Sequence, residues 1–463
     1  TLFPYTTRVR SRRSCACSQD RLAIVRAKRS GFCPRKAENM LDFETARARV
    51  LAWGESAGRA AGVEMVPLVE AQGRVLVEDV VAPAPFPLRD VSAMDGYAVR
   101  SRDFVETRSA DRDADVSDAD ATLGDASLDD GARWEFEVIG ESRTGHAAPS
   151  LDRRAAVRIF TGAIVPSGAD AVVMQENTTR HGERVVIEKA PREFENVRRR
   201  GEDLAEGTVV LRRGTRLGPF QLGLLAMVDR AEVLVGRAPR VAILCTGDEL
   251  GPAGAPRRPE QLPESNGIAL EALARNAGAK VTRLPIVVDE LERVEDAIRS
   301  AVSDVDLLLT VGGVSVGDHD VVKPALERLG AETEFWKVSI KPGKPLLLAR
   351  SGKTIVLGLP GNPASAQITF ALFGMPLLRA FQGDGAPTSL PRRARLTQEV
   401  RQKPGRTTFL RATLDGDRVT PLDNQSSGAG TALAWANAFA VVPSDASVLE
   451  AGALVEVISF LEL

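Results

Sequence analysis

Between residues 240 and 365, charged and glycine-rich positions recur where apolar runs end. "RVAILCTGDEL" closes on Asp248 and Glu249. "LLLTVGGVSVGDHD" passes through Gly312, Gly313, Ser315 and Gly317 to Asp318, His319 and Asp320. "FWKVSIKPGKP" carries Lys337, Lys341 and Lys344, and "GLPGNPASA" carries Pro360, Gly361, Asn362 and Pro363. Glycine loops that open helices expose backbone N–H groups, which suit phosphate. Lysines add compact positive charge for an anion. Carboxylates repel an anion, so they need a cation of their own. Mg²⁺ held by one or two carboxylates and by substrate phosphate reconciles the two sets.

Each piece has a plainer reading. Glycines after a strand often only turn the chain, and "LPGNP" can be a rigid turn with a proline at the first helical position. Asp248 can cap a helix, and His319 has no second histidine or cysteine placed to help it bind a metal. The order G-G-x-S-x-G is not the dinucleotide fingerprint, and no G-x-x-x-x-G-K-[ST] phosphate loop occurs. Two further motifs lie upstream. "PLRDVSAMDGYAV" puts Asp95 in a tight turn, and "RIFTGAIVPSGADAVVMQE" puts Thr161 in another. "RRRGEDL" adds Glu202 and Asp203 beside arginines. Turn chemistry and a surface ion cluster would account for these equally.

The elements that must position these residues follow from periodicity. Residues 42–60 read as a helix capped by Asp42, with Phe43, Ala46, Val50 and Trp53 at helical spacing. The proline cluster Pro83, Pro85 and Pro87 marks a boundary. Residues 87–203 show short β-type runs between turns and predict an inserted all-β module. Residues 41–86 and 204–238 then form one mixed domain from both flanks. From 239 to 382, strands alternate with helices, which predicts a parallel sheet with helices on both faces. Its ligand belongs at the carboxyl ends of the strands. A helix start at Ser265 or Asn266 falls within it. Residues 383–463 alternate as short strands and read as a small β-barrel or sandwich. The fold class is multidomain α/β.

Composition excludes other classes. The net charge of −2 gives no bias toward nucleic acid or anionic lipid. No run approaches the ~18 apolar residues of a membrane helix. Three of the four cysteines (Cys15, Cys17, Cys33) lie in the basic segment 1–39, so the body has no disulfide framework, which fits a reducing cytoplasm. That segment reads as a start-site extension or disordered tail. Residues 101–132 are rich in aspartate and poor in large apolar residues, and read as a solvated loop within the β module, at 103–132. The calcium-loop order is not met.

Seven stretches, in order, resemble the molybdopterin molybdenumtransferase family: "SAMDGYAV", "RIFTGAIVPSGADAVVMQE", "GEDL", "ILCTGDEL", "TVGGVSVGDHD", "FWKVSIKPGKP" and "GLPGNPASA". This is the molybdenum-insertion family of molybdenum cofactor synthesis, related to the E domain of gephyrin. The resemblance runs from about residue 41 to the C-terminus and leaves 1–39 and 103–132 without counterpart. It implies a mixed linker domain, an inserted β lid, a three-layer α/β molybdopterin-binding domain and a C-terminal β domain. It also implies a homodimer in which one subunit's lid reaches toward the other's α/β domain.

The implied substrates are adenylylated molybdopterin and molybdate, with Mg²⁺ assisting and AMP released. The implied catalytic residues are Asp95, Thr161, Asp203, Glu249, Asp289 and Asp320. Glu249, Asp289 and Asp320 would be nearest Mg²⁺. Gly312, Gly313, Ser315 and Gly317 would line the pterin-phosphate loop, with Pro360, Gly361, Asn362 and Pro363 beside the substrate. Lys337, Lys341 and Lys344 would hold phosphate or molybdate, and Arg411 and Ser427 match oxyanion contacts. A molybdopterin adenylyltransferase and downstream molybdenum-cofactor proteins are expected partners; nucleic acid and membrane are not. Two other readings stand beside this one. A paralogue of the same fold could act as a peptide-binding scaffold, although all the candidate carboxylates and lysines are present. A stand-alone α/β relative could adenylylate molybdopterin, although the lid and C-terminal domain argue against that.

Overall fold

The computed structural model describes residues 40–104, 133–313 and 320–462. The basic segment 1–39, residues 105–132 of the acidic stretch, and Ser315, Gly317, Asp318 and His319 lie outside the described residues.

The central sheet has six strands, in the order Lys280–Arg283, Arg240–Cys245, Leu307–Val311, Thr354–Leu359, Leu347–Ser351 and Glu332–Trp336. The first four are parallel, as the alternating pattern predicts. Leu347–Ser351 runs antiparallel to both its neighbours, Thr354–Leu359 and Glu332–Trp336, which corrects the expectation of a parallel sheet. They follow one another through a loop rather than a helix, so the chain returns along the sheet edge. Side chains alternate between two faces. Ile243, Leu309 and Leu357 pack with helix Asn266–Asn276 and the long helical run Pro363–Phe381. Ala242, Leu308 and Val356 pack with helices Leu291–Ala301 and Val322–Arg328. Period-two burial on both faces produces three layers.

Pro363–Phe381 is long and apolar enough to cross a membrane by length and composition alone, but 94% of its most apolar 18-residue window is buried inside the protein, as in a core helix. Helix Phe43–Ala61 starts as expected, with Thr45 N–H donating to Asp42 Oδ1 at 2.9 Å. Its packing partner is the α/β domain, not the linker. Gly54 and Gly58 sit against the backbone carbonyls of Leu377 and Phe381 so closely that a Cβ would overlap them. Phe43 meets Phe373 and Phe409 edge-on.

The linker is built from both flanks. Val63–Pro67 pairs with Glu232–Gly236, and Val80–Val81 with Val209–Leu211. The ends of the inserted module are clasped where Phe86 bridges Leu204. Phe86 N–H donates to Leu204 O at 2.7 Å, and Leu204 N–H returns at 3.0 Å. The insertion itself is a six-stranded sheet around Tyr97, Val99, Trp134 and Phe136. The solvated-loop expectation fails for its first residues. Phe104 packs on Trp134 and Phe136, and Asp103 is buried beside Arg100. One large aromatic side chain is enough to hold that turn down.

In the C-terminal domain, Thr407–Asp415, Arg418–Pro421, Arg392–Leu396, Leu454–Ser459 and Ala438–Val442 pair in sequence, and the last pairs back on the first. The result is a closed five-stranded barrel, which leaves none of these five strands as an open edge.

Candidate active site

Register builds the site. Cys245, Val311 and Leu359 lie abreast at the ends of three parallel strands. The next residues, Thr246, Gly312 and Pro360, therefore emerge at one edge. Thr246 N–H donates to Val311 O at 3.0 Å, and Gly312 N–H to Leu359 O at 3.2 Å. Gly312 and Gly313 have φ of 93° and 61°, and a Cβ on Gly312 would lie 2.6 Å from Thr246 O. Only glycine fits there.

A cleft of about 390 Å³ opens at this edge. Glu249, Asp289, Gly312, Gly313, Pro360, Gly361, Asn362 and Pro363 line it, so eight of the expected site residues share one cavity. Asp289 N–H donates to Asp248 Oδ1 at 3.2 Å, which ties the two acidic loops together. Thr246, Glu264, Asn266 and Pro345 also line the cleft and were not singled out from the sequence as site residues. Thr246 could have been found as the residue immediately after a strand end. Asn266 was read as a possible cap, but neither it nor Ser265 caps its helix by side chain. Glu264 Oε1 accepts from Gly267 N–H at 2.6 Å instead, and Asn266 Nδ2 reaches Gly361 O at 2.7 Å.

The antiparallel strands bring the lysine segment to the same edge, because Trp336, Leu347 and Gly358 lie abreast. Pro345 enters the cleft wall, while Lys337, Lys341 and Lys344 are not among the lining residues. Lys337 Nζ lies 3.9 Å from the Trp336 ring centroid, and Lys341 and Lys344 are exposed. Lys341 pairs with Thr408 on the barrel strand that also carries Arg411. Arg411 is fully buried. Its Nη2 donates to Asn424 O at 3.1 Å, while Nε and Nη1 have no partner among the described residues. Burial lowers its affinity for its proton. Ser427 O accepts from Ala364 N–H at 3.0 Å, which docks the barrel on the helix start after "LPGNP".

Asp320 leads into helix Val322–Arg328 at the end of the third parallel strand, but is not among the cleft's lining residues. Burial pushes its carboxyl up to about 6, against the opposing Lys323 N–H. In the inserted module, Thr161 N–H and hydroxyl both donate to Asp95 Oδ1, at 2.7 and 2.8 Å, and hold it below the usual carboxylate range. The structure thus joins two motifs 66 residues apart. Asp203 is exposed, its N–H on Phe86 O at 3.1 Å. None of Asp95, Thr161 and Asp203 lines the cleft.

The cleft's carboxylates are oxygen ligands of the kind Mg²⁺ takes. No cluster of three histidine, cysteine or acidic side chains suited to a metal occurs among the described residues. Glu264 is engaged by Gly267 N–H, and Glu249 and Asp289 with room for substrate phosphate fit an ion that seldom uses an all-protein cage.

A molybdopterin molybdenumtransferase of Haemophilus influenzae is 33% identical over 429 residues, covering 91% of this chain and 99% of that protein. The chain belongs to the molybdopterin molybdenumtransferase family. The Bacillus subtilis molybdenumtransferase is 35% identical over 404 residues, covering 85% of this chain and 89% of its own. Residues 41–228 match the family described as MoeA N-terminal region (domain I and II), 242–380 "Probable molybdopterin binding domain", and 393–460 MoeA C-terminal region (domain IV). Two crystal structures of a molybdopterin biosynthesis MoeA protein of Pyrococcus horikoshii share the molybdenumtransferase fold. Their TM-scores are 0.68 and 0.71 at 30% and 25% identity, over 91% and 90% of this chain and 99% of each.

Proposed function

We propose that this chain inserts molybdenum from molybdate into adenylylated molybdopterin, with Mg²⁺-assisted release of AMP. Family membership supports the transfer, and the cleft supports the chemistry. Water adds across the phosphoanhydride, one P–O bond forms as another breaks, and AMP departs. Glycine backbone at 313 and 361 suits the phosphates, and backbone donors gain strength as bound substrate excludes water. Glu249 and Asp289, joined by Asp320 from outside the cleft lining, would hold Mg²⁺, which would supply positive charge to the developing oxyanion. Lys337, Lys341, Lys344, Arg411 and Ser427 would hold molybdate or phosphate. The unpartnered Arg411 Nε and Nη1 support an oxyanion role for that side chain. Asp95, Thr161 and Asp203 would act from the lid. We further propose a cytoplasmic homodimer, fed by a molybdopterin adenylyltransferase and emptied by downstream molybdenum-cofactor proteins.

One observation carries the reading: Glu249, Asp289 and two glycine loops meet in a single cleft at the ends of parallel strands. The test is AMP release from adenylylated molybdopterin with Mg²⁺, with and without molybdate. Release should require molybdate and fall about a hundredfold in Glu249→Ala. Release that ignores both molybdate and that substitution overturns the mechanism.

A further inference from the structure

Two buried side chains of the cleft carry polar atoms that the protein leaves unused. Thr246 is 3% exposed and Asn266 8%, and both line the cavity. Thr246 Oγ1 and Asn266 Oδ1 have no hydrogen-bond partner among the described residues. An unsatisfied buried oxygen is costly and uncommon. Two in one cleft point to a ligand that completes them.

Their chemistry narrows that ligand. Asn266 Nδ2 donates to Gly361 O at 2.7 Å. This contact assigns the amide's two ends and leaves Oδ1 as an acceptor. An acceptor repels an oxyanion, so the group it takes is a donor. Thr246 Oγ1 stands beside both loop glycines, since a Cβ on Gly312 would lie 3.2 Å from it and one on Gly313 3.4 Å. The hydroxyl thus lies next to backbone that suits phosphate, and Asn266 lies across it on Gly361.

Resting on the substrate reading above, we infer that Thr246 and Asn266 recognise an N–H or O–H of the organic part of adenylylated molybdopterin. They are specificity-determining residues that distinguish the organic ligand from free phosphate or molybdate. The donor is a pterin N–H or a ribose hydroxyl, which share this chemistry.

Thr246→Val is the decisive variant, because it removes the hydroxyl without breaking a protein hydrogen bond. Titration calorimetry with Mg²⁺ and without molybdate measures adenylylated molybdopterin and, separately, AMP. Thermal unfolding is followed in parallel. Substrate affinity should fall at least about fivefold while Tm stays equal or rises. A parallel loss for AMP places the donor on the nucleotide, and loss for the full substrate alone places it on the pterin. Unchanged substrate affinity, as for a hydroxyl that only holds a buried water, overturns the inference alone. So does a Tm drop of several degrees, which marks a structural hydroxyl. A wild-type protein that binds neither ligand overturns the substrate reading and this inference with it.

Discussion

Cys245 ends the first parallel strand with its thiol against Glu264, buried and shielded from water. Burial and the neighbouring carboxylate push that thiol up to about 12, from 9.0. The folded state therefore holds this proton more tightly than the unfolded chain does. Stability from this group is complete below pH 9 and is lost as pH rises toward 12. Urea melts at pH 8 and pH 10 should show an alkaline loss that is smaller in Cys245→Ala. The placement of several candidate residues was readable as motif: Glu249, Gly312 and Gly361 follow apolar runs, and the strands align them. Thr246 was readable only as the residue after a strand end, and Asn266 only as a possible cap. Neither pointed to a ligand until burial showed their oxygens without partners among the described residues. The Asp95–Thr161 pair was readable as two turns but not as one contact, because joining them takes the pairing of Gly96–Val99 with Ala156–Ile159.

At the scale of elements, helix packing gives a sharp contrast of effects. An interior helical glycine ordinarily costs about 1 kcal/mol relative to alanine. Gly58→Ala should reverse that sign, because its Cβ would overlap the Phe381 carbonyl. The expected loss is about 2 kcal/mol or more in urea denaturation. Ser56→Ala, exposed on the same helix, should stay within about 0.5 kcal/mol. Alternating periodicity revealed the four parallel strands and their helices. It missed the antiparallel pair because "FWKVSIKPGKP" and "PLLLAR" are joined by a proline–glycine loop with no helical period. This pair returns the lysine segment to the edge where the cleft opens, although none of the three lysines lines it.

At the scale of the whole molecule, the linker displays apolar side chains that a monomer leaves wet. Phe220 is 89% exposed, Val69 90% and Met65 56%. Such exposed apolar side chains suit the proposed homodimer. Sedimentation velocity should give a dimer for the wild type and a monomer for Phe220→Asp combined with Met65→Asp; a monomeric wild type would refute it. Changes of rhythm made the runs of strands and helices visible in the sequence. The contact of helix Phe43–Ala61 with the α/β domain was not visible there, because a buried stripe does not name what buries it.

The clasp between Phe86 and Leu204 has a consequence for how this chain tolerates change. A module that leaves and rejoins its host at a single doorway transmits little of its own rearrangement across the threshold. Lengthening the acidic stretch after Phe104 therefore alters only the guest, and the host's strands keep their register while the guest drifts.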